Sequence, residues 1–391
     1  MANFLLRPER PGREDLAAYR ERKGYEALAR VPGGDAGAIL SAVEVAGLQG
    51  RGGGGFPAAR KWAEVARGNG DKWVVVNGAE GEPGSSKDRF LMENHPHLVL
   101  EGALLAAHAT GAQRVILAVN AGAEEAFASL GAALTEARAA SCGADTCVEV
   151  RRIPDVYVAG EETALLEALE GKAPHPTLKP PFPVHFGLAG RPTLVHNVET
   201  VACVAAILAA GPANWRAAGT QESPGTFLYT LSGDVNRPGV YELPGGTTLR
   251  RLVYGSGGGP TNGVGAVLPG GYSGGILTDA ELDLNEKEVG EAGGSLGCRA
   301  VRVLGERRDL WRTLEEVVSF FAAQSCGQCP PCFIGNSQLI TLIRGKGDLQ
   351  GALQAAGFLR GRGACGLLDG VAGFVQAFAA RFPEARLQMH G

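Results

Sequence analysis

The apolar positions of this chain fall into three regimes. Between Lys72 and Ile153 they form short continuous runs separated by stretches of helical period. Lys72–Val76, Arg114–Val119 and Cys147–Ile153 have strand length, whereas the segment up to Ala107 and Glu124–Ala139 repeat at helical spacing. Strands that alternate with helices predict a sheet layered with helices in an α/β unit. From Gly225 to about Gly275 the pattern shortens. Thr226–Leu231 and Val240–Leu243 read as strands joined through a turn at Asn236–Gly239, Thr247–Tyr254 has helical period, and Ala266–Pro269 is strand-like. That is the outline of a small β-grasp-like module. From Asp309 onward the period is helical: Leu310, Leu314, Val317, Val318 and Phe321 share one face, and further helices are expected over Ile334–Ile343, Leu349–Leu359 and Leu367–Phe382. The division that follows is 1–222, 223–295 and 296–391, with polar, helical residues 1–46 leading into the first unit.

Composition changes this picture in two places. The net charge is −4, which gives no basis for nucleic-acid binding or for an anionic membrane surface. Glycine is in excess, at 59 residues, and it clusters in loops without a repeat, as backbone that approaches ligands does. No long apolar stretch opens the chain, and the run Leu98–Ala107 is too short to span a bilayer. The expectation is a soluble cytoplasmic protein.

Three cysteines stand at C-x-x-C-x-x-C spacing, Cys326, Cys329 and Cys332, and Cys365 follows alone. Three thiolates on one loop and a fourth from afar is a common way to hold a [4Fe–4S] cluster. Structural zinc more often uses two C-x-x-C knuckles, and here the second is missing; zinc and plain buried thiols remain alternatives. Cys142, Cys147, Cys203 and Cys298 show no ligand spacing and read as small core residues.

Gly50, Gly52 and Gly55 satisfy G-x-G-x-x-G, but the segment before them has helical period, so the standard Rossmann reading is rejected. What survives is a glycine loop running into the helix Ala58–Ala66, a phosphate cradle with Arg51 and Lys61 nearby. Asn77–Arg89 lies just past a strand's carboxyl end, where α/β proteins bind ligands. Gly160-Glu161-Glu162 heads a helix; the acids either favour its dipole or accept from ribose hydroxyls. Lys179-Pro180-Pro181-Phe182 reads as a stiff extended segment presenting a base and a flat ring.

Seven stretches in order carry a resemblance: Gly47–Pro57, Asn77–Arg89, Gly160–Leu165, Leu178–Pro183, Asn197–Thr200, Asn236–Glu242 and Ser325–Cys332. Together they are similar to the NADH-binding flavoprotein subunit of respiratory complex I and to the diaphorase subunits of NAD-linked hydrogenases and formate dehydrogenases. The resemblance covers about residues 20–385. It implies a non-standard, Rossmann-like FMN- and NADH-binding domain, an SLBB-type β-grasp domain and a helical bundle with a [4Fe–4S] cluster. NADH would be the hydride donor and FMN the acceptor.

Around FMN the resemblance implies Gly50, Arg51, Gly52 and Gly53 in the loop, with Lys61. It adds Asn77 and Glu80, Tyr157 and Gly160, and Asn197 and Thr200. Around NADH it implies Phe56, Glu82, Glu161, Glu162, Lys179 and Phe182, with Glu162 disfavouring the 2′-phosphate of NADPH. Glu80 and Glu82 are the candidate catalytic residues, and Cys326, Cys329, Cys332 and Cys365 the cluster ligands.

The implied partners are a small [2Fe–2S] thioredoxin-like subunit and further electron-transfer subunits, through which alone the chain would sit peripheral to an inner membrane. Three positions depart from the family pattern. Ala79 replaces an acid, His196 an asparagine, and Glu64 an aromatic. The departures keep two rivals open: a paralogue using NADPH or ferredoxin, and a non-catalytic cluster scaffold. The thioredoxin-like and ferredoxin extensions of some diaphorase subunits are not expected.

Overall fold

The computed structural model describes residues 3–30, 36–279, 281–345 and 347–385. Residues 31–35 of the helical region expected at the start of the chain therefore lie outside the described residues. Three helices precede the glycine loop: α1 (Leu16–Glu21), α2 (Glu26–Arg30) and α3 (Ala36–Ala46). The first sheet is entirely parallel, in the order β3–β2–β1–β4, with β1 at Trp73–Gly78, β2 at Arg114–Asn120, β3 at Cys147–Ile153 and β4 at Thr193–Asn197. Its interior is continuous Val, Ile and Leu, as strands covered on both faces require.

Helices α4 (Ala58–Arg67), α5 (Lys87–Asn94), α6 (Pro96–Thr110), α7 (Glu124–Ala139), α8 (Glu162–Leu169), α9 (Val198–Ala210) and α10 (Pro212–Ala217) complete the unit. Helix α6 is buried on nearly every side, which explains why its sequence shows no polar stripe. The start of the chain is tied to the second unit: the Glu242 carboxylate accepts from the backbone N–H groups of Phe4 (2.8 Å), Leu5 (3.0 Å) and Leu6 (2.9 Å).

The second sheet has the order β6–β5–β8–β7, with β5 at Thr226–Gly233, β6 at Gly239–Pro244, β7 at Ala266–Leu268 and β8 at Ala300–Leu304. Strand β8 lies beyond the boundary read at residue 295, yet it pairs in parallel with β5 and antiparallel with β7. A parallel partner that arrives after a long connection has no hairpin signal, so the sequence hides it. The helical period near Tyr254 becomes a wide helical turn over Arg251–Ser256, and α11 (Glu286–Glu291) follows.

The last unit is α12 (Leu310–Ala323), α13 (Pro330–Ile340), α14 (Leu349–Leu359) and α15 (Leu367–Arg381). Asp309 caps α12 by accepting from Arg312 N (3.1 Å), and Leu314, Val317, Val318 and Phe321 are buried against the aromatic face of α15. No helix among the described residues is long and apolar enough to cross a membrane.

Candidate functional site

The carboxyl ends of β1 and β4, the loop after β7 and the start of α15 enclose a cleft of about 610 Å3. Each unit contributes a wall. From the α/β unit come Gly52 and Gly53, Asn77, Glu80 to Glu82, Tyr157, Gly160, Glu161 and Asn197. The β-grasp unit supplies Ser273, Ser295, Gly297 and Cys298, and the helical unit Cys365 to Leu367. A Cβ on Gly52 would sit 3.2 Å from that of Asn197, tighter than an ordinary contact, so a side chain there would push the loop a few tenths of an ångström from the strand end.

The polar side chains of the cleft are fixed before any ligand arrives. Asn77 donates to Gly160 O (2.9 Å) and accepts from Ala79 N (3.0 Å). Asn197 caps α9, accepting from Glu199 N (3.0 Å), and donates to Asp88 Oδ2 (2.6 Å). Beneath them Lys87 is buried, its Nζ 2.9 Å from Asp88 Oδ1 and 2.8 Å from Glu199 Oε2. Burial disfavours the Lys87 charge, but the two carboxylates outweigh it and raise its pKa; burial pushes the Asp88 carboxyl up.

Glu82 joins the three units. Its carboxylate accepts from Tyr157 Oη (2.9 Å), Tyr272 N (2.6 Å), Ser273 N (3.3 Å) and Ser273 Oγ (2.9 Å). Tyr157 in turn packs edge-on against Phe320 and Phe321 of α12. A Cβ on Gly271, at φ +74°, would lie 2.5 Å from the Glu82 side chain, so the loop's approach depends on that glycine. Burial raises the Glu82 pKa against the opposing pull of its donors. Glu80 is likewise occupied: it accepts from Ser85 Oγ (2.5 Å), Asp88 N (3.2 Å) and Arg89 N (2.9 Å), holding the first turn of α5.

The four clustered cysteines line one small closed pocket with Val158, Pro176, Leu367 and Leu368. Ala364 N donates toward Cys329 Sγ (3.4 Å) and Asn336 Nδ2 toward Cys332 Sγ (3.6 Å). Among the described residues no three His, Cys, Asp or Glu side chains converge on a single ion. Four thiols lining one pocket suit a cluster that takes one thiolate per iron. Burial pushes the thiols of Cys332 and Cys365 up. Val158, Cys365 and Leu367 line both this pocket and the cleft, so the two sites share a wall.

Family models match the chain in three places. Residues 43–206 match the Nuo51 FMN-binding domain, residues 228–276 the SLBB domain, and residues 312–388 the iron–sulfur binding region of NADH-ubiquinone oxidoreductase-F. A second-copy F subunit of NADH-quinone oxidoreductase from Rhizobium meliloti (strain 1021) is 36% identical over 404 residues, 96% of each chain. The chain belongs to the family of NADH-quinone oxidoreductase F subunits. The F subunit from Aquifex aeolicus (strain VF5) is 36% identical over 352 residues, covering 87% of this chain and 82% of its own. An air-oxidised NAD+-reducing [NiFe]-hydrogenase superimposes with a TM-score of 0.83 at 35% identity. That match covers 93% of this chain, which spans 65% of the hydrogenase chain.

Not all the predicted residues meet in the cleft. Arg51 is turned away: its guanidinium lies 3.4 Å from the Phe227 ring centre and donates to Thr226 O (3.2 Å). It fastens the glycine loop to β5 and is not free to meet a phosphate. Thr200 accepts from Arg51 N (2.9 Å), fully buried behind the loop, and Gly50 closes the loop's base by donating to Phe56 O (2.9 Å).

Lys61, Lys179, Glu161 and Glu162 form an ion network at the cleft's outer edge. Lys61 Nζ lies 2.7 Å and Lys179 Nζ 2.9 Å from Glu162, while Lys179 also reaches Glu161 (2.9 Å). Burial works against the Glu162 charge, but the two ammonium groups hold its carboxyl below the usual range. Phe56 and Phe182 stand half exposed. The proline run is not extended: Lys179–Pro180 and Pro180–Pro181 are cis, and the backbone bends there.

The sequence reading missed the walls from the second unit. Ser273, Ser295, Gly297 and Cys298 sit in two glycine-rich turns, Gly270–Gly275 and Gly293–Cys298, whose composition was the available signal. Burial pushes Cys298 up to about 12, consistent with an inert thiol.

Proposed function

We propose that this chain oxidises NADH with FMN held in the three-walled cleft and a [4Fe–4S] cluster held by Cys326, Cys329, Cys332 and Cys365, as one subunit of a larger assembly. The observation that carries this is the wall shared by the cleft and the cysteine pocket, with Cys365 in it. When bound, FMN supplies the exchange between a hydride pair and single electrons, and the cluster supplies one-electron relay.

The residues then divide by task. Gly52 and Gly53 bring bare backbone to the ligand. Asn77 and Asn197, already oriented by their own hydrogen bonds, present fixed polar groups. Lys87, with Asp88 and Glu199, sets the charge beneath the cleft. Hydride transfer needs no general base, and the carboxylates of Glu80 and Glu82 are saturated with protein donors; both position the cleft walls. Phe56 and Phe182 offer flat faces to the nucleotide, and Glu162, between Lys61 and Lys179, meets the adenosine ribose and disfavours a 2′-phosphate. A small [2Fe–2S] thioredoxin-like subunit beside this one belongs to the same proposal, as does work on the cytoplasmic side of a membrane reached only through partner subunits.

The test is an anaerobic absorption spectrum of the purified protein before and after NADH. Flavin bands that bleach over a broad iron–sulfur shoulder are expected. A brown protein whose flavin ignores NADH, or a colourless zinc protein, refutes the reading.

A further inference from the structure

We infer that Arg51, Phe227 and Arg299 form a clamp that holds two walls of the cleft together, with Arg299 as a positioning residue on which flavin retention depends. The inference rests on the proposed occupation of the cleft by FMN.

Phe227, on β5, is buried, and both faces of its ring are taken. The Arg51 guanidinium lies 3.4 Å from the ring centre and that of Arg299 3.9 Å. Two guanidinium groups so close to one ring centre have no room on the same face, so the ring stands between them. The cations come from different units: Arg51 from the glycine loop before α4, Arg299 from the turn that leads into β8. Both are buried. Each is also joined directly to a wall. Gly52 and Gly53 follow Arg51, Gly297 and Cys298 precede Arg299, and all four line the cleft. The walls meet there: a Cβ on Gly53, at φ +107°, would already touch Gly297, 3.5 Å from its carbonyl carbon.

The ring does for these cations what carboxylates do elsewhere. Arg51 Nε lies 3.9 Å from Glu199, which Lys87 already holds at 2.8 Å, and Arg299 lies 3.6 Å from Glu286, an exposed acid. The Nε of each arginine is buried without a hydrogen-bond acceptor among the described residues. A cation over an aromatic face is held by the ring quadrupole, most firmly where water is excluded. The two charges also repel. Burial lowers the Arg51 pKa, and the Arg299 charge adds to that. An aliphatic side chain between them would leave the repulsion and remove the attraction.

The backbone at Arg299 is under strain. Its φ is +58°, in the left-handed region that glycine takes freely and a long side chain does not. Its turn needs no side chain: Arg299 N donates to Leu296 O (2.7 Å) and Arg299 O accepts from Thr230 N (3.1 Å), bonds that glycine would make equally well. Strain of this kind persists where the side chain has a task, and the task on view is the second face of Phe227.

The experiment uses the full chain with its cluster in place and its flavin removed. FMN affinity is read by quenching of flavin fluorescence, beside the unfolding midpoint of each flavin-free variant. Arg299→Gly relieves the strain but opens the clamp: the midpoint holds or rises while the FMN Kd increases about tenfold, the worth of ~1.4 kcal/mol. Arg299→Met keeps the strain and the apolar stem but not the charge, and weakens FMN to the same degree. Arg299→Lys returns a cation to the ring and binds within about threefold of the wild type. The clamp is overturned if Arg299→Gly or Arg299→Met binds FMN as tightly as the wild type, or if Arg299→Lys binds no better than Arg299→Met. A wild type that binds no FMN refutes the proposed function instead. Hydrogen exchange then decides the clamp: peptides spanning residues 50–56, on the opposite wall, exchange faster in Arg299→Gly if the clamp holds that wall, and an unchanged rate overturns it.

Discussion

Replacing Glu82 by Ala tests whether one carboxylate holds the cleft together. It removes the acceptor for four donors: Tyr157 Oη, Tyr272 N, Ser273 N and Ser273 Oγ. A hydrogen bond to a charged group contributes about 1.5–3 kcal/mol, so the four amount to roughly 6–12 kcal/mol gross. Against this stands the cost of burying the carboxylate, several kcal/mol. Glu82 and Ser273 line the cleft, so water can reach part of the site and replace some bonds. The net loss expected is about 2–4 kcal/mol of local stability. At 1.36 kcal/mol per factor of ten, protection of the Tyr272 and Ser273 amides against hydrogen exchange falls by about 30- to 1,000-fold. Exchange measured on peptides spanning residues 268–276 reads this directly, with the central strands β1 and β2 as internal reference. A folded Glu82→Ala protein whose loop amides exchange at the wild-type rate would refute the reasoning.

Three further outcomes follow from the same geometry. Cys365→Ser removes one ligand from the shared wall, so iron content and the broad visible shoulder fall; wild-type iron in a folded variant would exclude Cys365 as a ligand. Glu162→Gln leaves Lys61 and Lys179 without one carboxylate, and the ratio of kcat/KM for NADPH to that for NADH is expected to rise about tenfold, the worth of roughly 1.4 kcal/mol of like-charge repulsion. An unchanged ratio would place Glu162 away from the ribose. The third concerns pH. Burial, with the Lys61 charge nearby, lowers His196 to about 3, whereas it titrates near ~6.5 in the unfolded chain. The unfolded state binds a proton that the folded state refuses, so the His196 contribution is fully present above pH ~6.5 and lost as pH falls toward 3. His196→Phe flattens the acid limb of the stability curve; a limb as steep as the wild type's shows that another group carries it.

What the sequence could and could not reveal follows from how far each contact reaches along the chain. Strands β1 and β2 were legible because a buried parallel strand is a continuous apolar run; the edge strand β3 carries Glu149, Arg151 and Arg152, and its length and place in the strand–helix alternation marked it. The four cysteines were legible because ligand spacing is local on three of them. Strand β4 was not read as a strand: it carries Thr193 and His196, both polar and both buried. Arg51 looked like a phosphate ligand because it is a base in a glycine loop. Its real partner, Phe227, lies 176 residues later, and no local pattern announces that pairing. Glu82 sits in a motif that marks a site, but two of its four donors are backbone N–H groups, which carry no residue signature.

The wall shared by cleft and cysteine pocket has a consequence for how the protein matures. The first 222 residues can close the parallel sheet, yet one side of the cleft is not in place until the last helix has docked with Cys365 at its head. A cluster held by that cysteine would tie down the Cys365–Leu367 turn that lines the cleft, so loss of iron is expected to lower flavin retention. The product expected under iron starvation is a flavin-poor chain, folded in its N-terminal layers and open at the end where the two cofactor sites meet.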